Sequence, residues 1–204
     1  MKKIAGALIA AGVMAFSASS HAADNPEPVW LPATAATQFQ NAPAIVEGAQ
    51  GKDVKATIYV FMDPNCIYCH FVWKALQPYE AAGLQVHWIP LAFLKPDSAG
   101  KAAALLQASD SAALLKKLEL GYNEKDESGG IAPLATVPAT AQAKLDGNAK
   151  LFQDLGFQGT PTIIYRGSGG RWADYGGMPK LAMLPDMLNM PAQPVTDPSL
   201  KPFQ

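Results

Sequence analysis

Ile58-Tyr59-Val60-Phe61-Met62-Asp63-Pro64-Asn65-Cys66-Ile67-Tyr68-Cys69 is the stretch on which the fold turns. Residues 56–62 are β-branched, aromatic or apolar with no helical period, the pattern of a strand buried on both faces. Asp63-Pro64-Asn65 breaks that run. Beyond it Val72, Ala75, Leu76 and Tyr79 recur at helical spacing, so both cysteines fall in the first turn of a helix fed by a central strand. Pro78 is expected to kink or end that helix. Residues 84–91, Leu-Gln-Val-His-Trp-Ile-Pro-Leu, read as a second strand, completing a strand–helix–strand unit with parallel strands.

A Cys-x-x-Cys at a helix start has a chemical use. Residues at i and i+3 of a helix have Cα atoms about 5 Å apart, within reach of an unstrained disulfide, so the pair can open and close without backbone movement. The unpaired N–H groups and the positive end of the helix lie nearest Cys66 and favour its thiolate. Cys66 is therefore expected to be the exposed, acidic nucleophile. Cys69, one turn further in, is expected to stay protonated until it resolves a mixed disulfide. These are the only two cysteines of the chain, and a bridge between them closes too small a loop to stabilise a fold.

Working outward, residues 98–155 turn helical. Ser98 is expected to cap a helix through 108, Ser111 another through 120 with Gly121 as its stop, and a third runs over 140–155, divisible at Gly147-Asn148. Thr162-Ile163-Ile164-Tyr165 and residues 171–175 form a hairpin across Gly167–Gly170. A last helix spans 179–190, broken or kinked at Pro185. The proline-rich tail, 191–204, is expected to be extended and loosely held. Residues 23–50 read as a lead-in segment with at most one short helix.

The start of the chain, MKKIAGALIAAGVMAFSASSHA, has the basic, apolar and small-residue regions of a secretory signal peptide, with cleavage expected after Ala22. Losing those residues removes two of the 16 basic side chains and none of the 17 acidic ones. That balance offers no basic footprint for nucleic acid. The remainder is long enough for one domain, placed at residues 51–190.

The quoted stretch, together with Leu94-Lys95-Pro96-Asp97-Ser98, residues 151–161 and Gly176-Gly177-Met178-Pro179, resembles the periplasmic DsbC/DsbG family of thiol:disulfide interchange proteins, its DsbG branch above all. The likeness covers residues 50–190 in order. It implies an α/β, thioredoxin-like fold with an inserted helical subdomain at 98–155. It implies a redox-active pair with Cys66 attacking and Cys69 resolving, and a cis-proline at Pro161 facing them. Thr160, Pro161, Ile67 and Tyr68 would then contact substrate, with the Thr160 hydroxyl in reach of the sulfur. No cofactor and no metal are implied. The expected partners are exported proteins bearing cysteines and a membrane electron donor of the DsbD type. Residues 23–55 are too few for the family's dimerisation domain and linker helix, so a monomer is expected in the periplasm.

The rival reading is literal. Cys66-Ile67-Tyr68-Cys69-His70 is also a Cys-x-x-Cys-His, the attachment motif of a c-type haem, with His70 and one of Met62, Met178, Met183 or Met187 as axial ligands. A zinc site of both thiolates with His70 and His87 is a weaker alternative. The four tryptophans, 30, 73, 88 and 172, suit core packing better than a peptide groove.

Overall fold

The computed structural model describes residues 28–204; the expected signal peptide and the first residues of the lead-in lie outside them. Six strands form one sheet: β1 (Val29–Trp30), β2 (Ile45–Gly48), β3 (Ala56–Met62), β4 (Leu84–Pro90), β5 (Thr162–Arg166) and β6 (Trp172–Gly176). Their order is β1-β6-β5-β3-β4-β2. β3 is central as its composition predicts, paired in parallel with β4 from Ala56↔Leu84 to Met62↔Pro90 and antiparallel with β5.

Strand alternation distributes β3 between two cores. Ile58, Val60 and Met62 join Val86, Trp88 and Ile163 under α2 (Ile67–Ala82). Tyr59 and Phe61 face the opposite way, against Phe39 of α1 (Ala35–Gln40) and Phe152 of α5 (Ala139–Asp154). Trp73, Trp88 and Trp172 are buried in these layers, which is the core role expected of them. α3 (Ser98–Gln107) packs Ala102 and Ala103 against Ala141 and Leu145 of α5, and α4 (Ser111–Leu120) adds Leu115 and Leu118 to the α2 side.

Several boundaries differ from the sequence expectations. The lead-in contributes two edge strands as well as its helix: β2 pairs antiparallel with β4, and β1 with β6. α2 passes through Pro78 and stops at Gly83, whose φ of 119° suits a left-handed C-cap. The proline removes one backbone donor, and the burial of Val72, Trp73, Leu76 and Tyr79 on the sheet outweighs that loss. Asp110, not Ser111, caps α4 by accepting from the Ala113 N–H at 2.9 Å. α5 is unbroken at Gly147-Asn148, because the Asn148 amide donates to the carbonyls of Pro43 and Pro90, both at 3.0 Å. Pro185 stands in the first turn of α6 (Leu184–Leu188), where a proline needs no N–H partner. The tail is docked, not loose: residues Pro198–Phe203 form a 3-10 helix against α2, and Leu200 is fully buried.

Between β2, β4 and α2 lie two carboxyl groups, Glu47 buried and Glu80 half-buried with one oxygen out of reach of solvent. Burial, partly offset by the Trp73 indole N–H 2.9 Å away, pushes Glu47 up to about 7. Burial and then the neighbouring Glu47 push Glu80 up to about 8. Unfolded carboxyls titrate near 4.5, so the folded chain holds protons that the unfolded chain releases. The stability this provides is complete below about pH 4.5 and is lost as pH rises through about 7 to 8. Urea unfolding at pH 5.5 and pH 8.5 is expected to show a lower midpoint at the higher pH, and the Glu47→Gln, Glu80→Gln double variant is expected to flatten the difference.

Candidate active site

The segment linking β3 to α2 is buried throughout, Asp63, Pro64, Asn65 and Cys66 included. Buried polar groups must find partners, and here they do. Asp63 accepts four bonds: from the Asn65 N–H (2.9 Å) and Ser98 hydroxyl (2.8 Å) on one oxygen, and from the Phe93 and Leu94 N–H groups (2.8 and 3.0 Å) on the other. Asn65 uses its whole side-chain capacity. Its amide donates to Asp97 and Ser98, both at 2.9 Å, and its carbonyl accepts from Lys101 Nζ (2.8 Å) and the Gly129 N–H (3.2 Å). Its main-chain carbonyl accepts from the Tyr122 hydroxyl at 2.8 Å. Lys101, itself buried, also reaches Ser128 and Asp97, both at 2.9 Å. Gly129 must be glycine for this approach, since a Cβ there would meet the Pro64 carbonyl oxygen at 2.4 Å.

The network sets the residue that follows it. Cys66 is the N-cap of α2, in extended conformation, and its Sγ accepts from the Cys69 N–H at 3.2 Å. It is less exposed than the sequence suggests: Cys66 is 4% accessible and Cys69 1%. Their acidities nevertheless diverge. A hydrogen bond from the Cys69 thiol lowers Cys66 most; burial opposes it, and the Cys69 N–H lowers it further. Burial raises Cys69 well above an ordinary thiol, and Cys66 beside it raises it again.

Thr160 and Pro161, distant in sequence, lie at the same place. The peptide between them is cis, and the Thr160 carbonyl accepts from Cys66 Sγ at 3.3 Å. The Thr160 hydroxyl, expected to be the group that reaches the sulfur, has no hydrogen-bond partner; the contact is made by the main chain. Ile67 is half-buried and Tyr68 is 51% exposed beside the cysteines.

A strand-delivered Cys-x-x-Cys at a helix N-terminus, with a cis-proline turn laid over it and a sheet of order β1-β6-β5-β3-β4-β2, is a thioredoxin arrangement. A family model described as a thioredoxin-like domain matches residues 43–189. The chain belongs to the thioredoxin-like family. It is similar to the thiol:disulfide interchange protein DsbG of Pseudomonas aeruginosa, 33% identical over 137 residues, which are 67% of this chain and 52% of that protein. It is likewise similar to DsbG of Escherichia coli, 37% identical over 119 residues, 56% of this chain and 45% of that protein. The chain thus spans about half the length of the curated relatives it matches. Among solved structures, Proteus mirabilis ScsC in a compact conformation shares the fold, with a TM-score of 0.57, 20% identity and 80% of each chain covered.

The groups that the haem and zinc readings need are otherwise engaged. His70 is buried, its Nδ1 lies 2.7 Å from the Glu119 carboxylate, and its ring stacks on Tyr122 at 4.3 Å. His87 is on the other face of the sheet, against Tyr59. Sequence reasoning missed Asn65 and Lys101 and took Ser98 for a helix cap, although its hydroxyl serves Asp63. The available signal was a run of polar residues, Asp63, Asn65, Asp97, Ser98 and Lys101, next to apolar segments that bury all of them but Asp97.

Removing the Asn65 amide leaves Lys101, Ser98 and the Gly129 N–H short of partners, and each buried unsatisfied group costs about 1–3 kcal/mol. Asn65→Ala is expected to destabilise the protein by on the order of 3 kcal/mol in urea titration, and to slow alkylation of Cys66 at neutral pH by relaxing its N-cap position.

Proposed function

We propose that this protein is a thiol:disulfide oxidoreductase acting on exported proteins in the periplasm through Cys66 and Cys69. The observation that carries the reading is the unlike placement of two neighbouring cysteines under a cis-proline turn: Cys66 caps α2 and its sulfur accepts from the Cys69 N–H, while Cys69 is turned into the core, so Cys66 is lowered and Cys69 raised in pKa. The similarity to two DsbG proteins supports it, as does the likeness in fold to periplasmic thioredoxin-like proteins.

The Cys66 thiolate attacks one sulfur of a substrate disulfide, forming a mixed disulfide and expelling the other sulfur as a thiolate. Cys69 then attacks Cys66 Sγ; its proton passes to a departing sulfur, the mixed disulfide breaks, and the substrate leaves with both sulfurs reduced. Two electrons have moved from the protein to the substrate, leaving a Cys66–Cys69 disulfide. A substrate sulfenic acid follows the same course, with water as the group expelled in the first step. Regeneration requires an outside dithiol, for which a membrane donor of the DsbD type is the proposed source. Thr160, whose carbonyl accepts from Cys66 Sγ, is the residue we propose to border an extended substrate strand.

Cys69→Ala is expected to accumulate mixed disulfides between Cys66 and partner proteins, visible on non-reducing gels and reversed by dithiothreitol. Cys66→Ala should trap none; the opposite pattern reverses the two roles.

Residues 28–55 are woven into the catalytic sheet through β1 and β2 rather than forming a unit of their own. We therefore propose that the protein acts as a monomer that completes each exchange and departs. One thioredoxin-like unit does not by itself supply the effective concentration that repeated reshuffling of a held, misfolded chain needs. Light scattering is expected to give the monomer mass, and a scrambled multi-disulfide substrate is expected to regain little activity. A stable dimer with strong isomerase activity would overturn this part of the reading.

A further inference from the structure

Large apolar side chains are left exposed on the segments that meet at the Cys66 turn: Tyr68 at 51%, between the two cysteines, and Phe93 at 53% with Leu94 at 45%, on the loop whose N–H groups hold Asp63. The Tyr68 side of this rim is built partly by the last residues described. Asp197 starts the Pro198–Phe203 3-10 helix by accepting from the Ser199 N–H at 2.9 Å and its hydroxyl at 2.6 Å. Lys74 of α2 fastens the helix, donating to Ser199 at 3.0 Å and to Glu124 at 2.8 Å, with Asp197 3.7 Å away. Side chains three apart on a 3-10 helix share a face. Leu200 therefore plugs the α2 core while Phe203 lands 5.5 Å from Phe71 and 6.5 Å from Tyr68, centroid to centroid, and Lys201 stays exposed.

We propose that Phe203 is a specificity-determining residue of the exchange site, forming with Tyr68 and Phe71 an apolar shelf that receives the side chain next to the reacting cysteine of an extended partner polypeptide. The inference rests on the exchange reading above and adds the partner's chemistry. Tyr68 sits between the two cysteines in sequence, so whatever occupies its exposed face lies beside the sulfur being attacked. The three rings offer area and no charge. The nearest cation of α2, Lys74, is already engaged by Glu124, Asp197 and Ser199, which leaves the shelf suited to an aliphatic or aromatic neighbour rather than an acidic one. Edge-on packing of Tyr68 on Phe71, at 76°, and on Phe203, at 78°, ties the three rings into one surface.

The test uses two extended peptides, each with one cysteine joined to glutathione, differing only in leucine or serine beside that cysteine. The unaltered protein is expected to favour the leucine peptide in kcat/KM. Phe203→Ala is expected to cut the leucine-to-serine ratio about tenfold, mainly through KM, and Phe203→Leu to restore most of it. An unchanged ratio, no preference in the unaltered protein, or an equal loss on both peptides with a shifted reduction potential would overturn the proposal. An unaltered protein that exchanges with neither peptide would overturn the exchange reading and this inference with it.

Discussion

A cysteine can serve as the cap of a helix only if the chain entering that helix is held still, and here the entering chain is buried where water cannot hold it. Asn65 carries this constraint. Its side chain is bonded at every position it has, to α3 through Asp97, Ser98 and Lys101 and to the loop after α4 through Gly129, while Tyr122 holds its carbonyl. The helices between β4 and β5 are thus joined to the Cys66 turn by polar bonds as well as by apolar packing. Each bond is directional, so the position of Cys66 is set more narrowly than hydrophobic contact would set it.

That fixed position makes two identical functional groups unlike. Cys66 Sγ is aimed at the Cys69 N–H and lies against the Thr160 carbonyl, whereas Cys69 is turned into the core under α2. A negative charge on the first is shared with the Cys69 N–H; a negative charge on the second would have none of the water it needs. The proton between them has a preferred owner before any substrate arrives.

The strand, the cysteine pair and the following helix were legible because their signals are local: a β-branched run, a breaker, a 3.6-residue period. β4 was legible for the same reason, and its parallel pairing follows from the length of the crossover through α2. What escaped is non-local. β1 is two residues long and β2 four, and neither shows alternation that a reader could find before knowing which strand it meets. Pro78 reads as a breaker to anyone who cannot see the buried face of α2 around it. Ser98 and Ser111 look like caps by composition, yet the hydroxyl of the first is claimed by Asp63 and the role of the second falls to Asp110. The tail reads as an unstructured proline segment until Leu200 is seen to have a hole to fill.

β5 reaches β3 only after the whole helical insertion has been laid down, so the contacts around Cys66 come from four stretches of chain: 63–66, 93–101, 122–129 and 160–161. Long loops must close before any of them forms. A half-folded chain therefore carries two ordinary, sluggish thiols, and the sulfur sharpens only when every stretch has arrived. Reactivity here is a property of the finished molecule, since no one of those stretches makes the sulfur's surroundings alone.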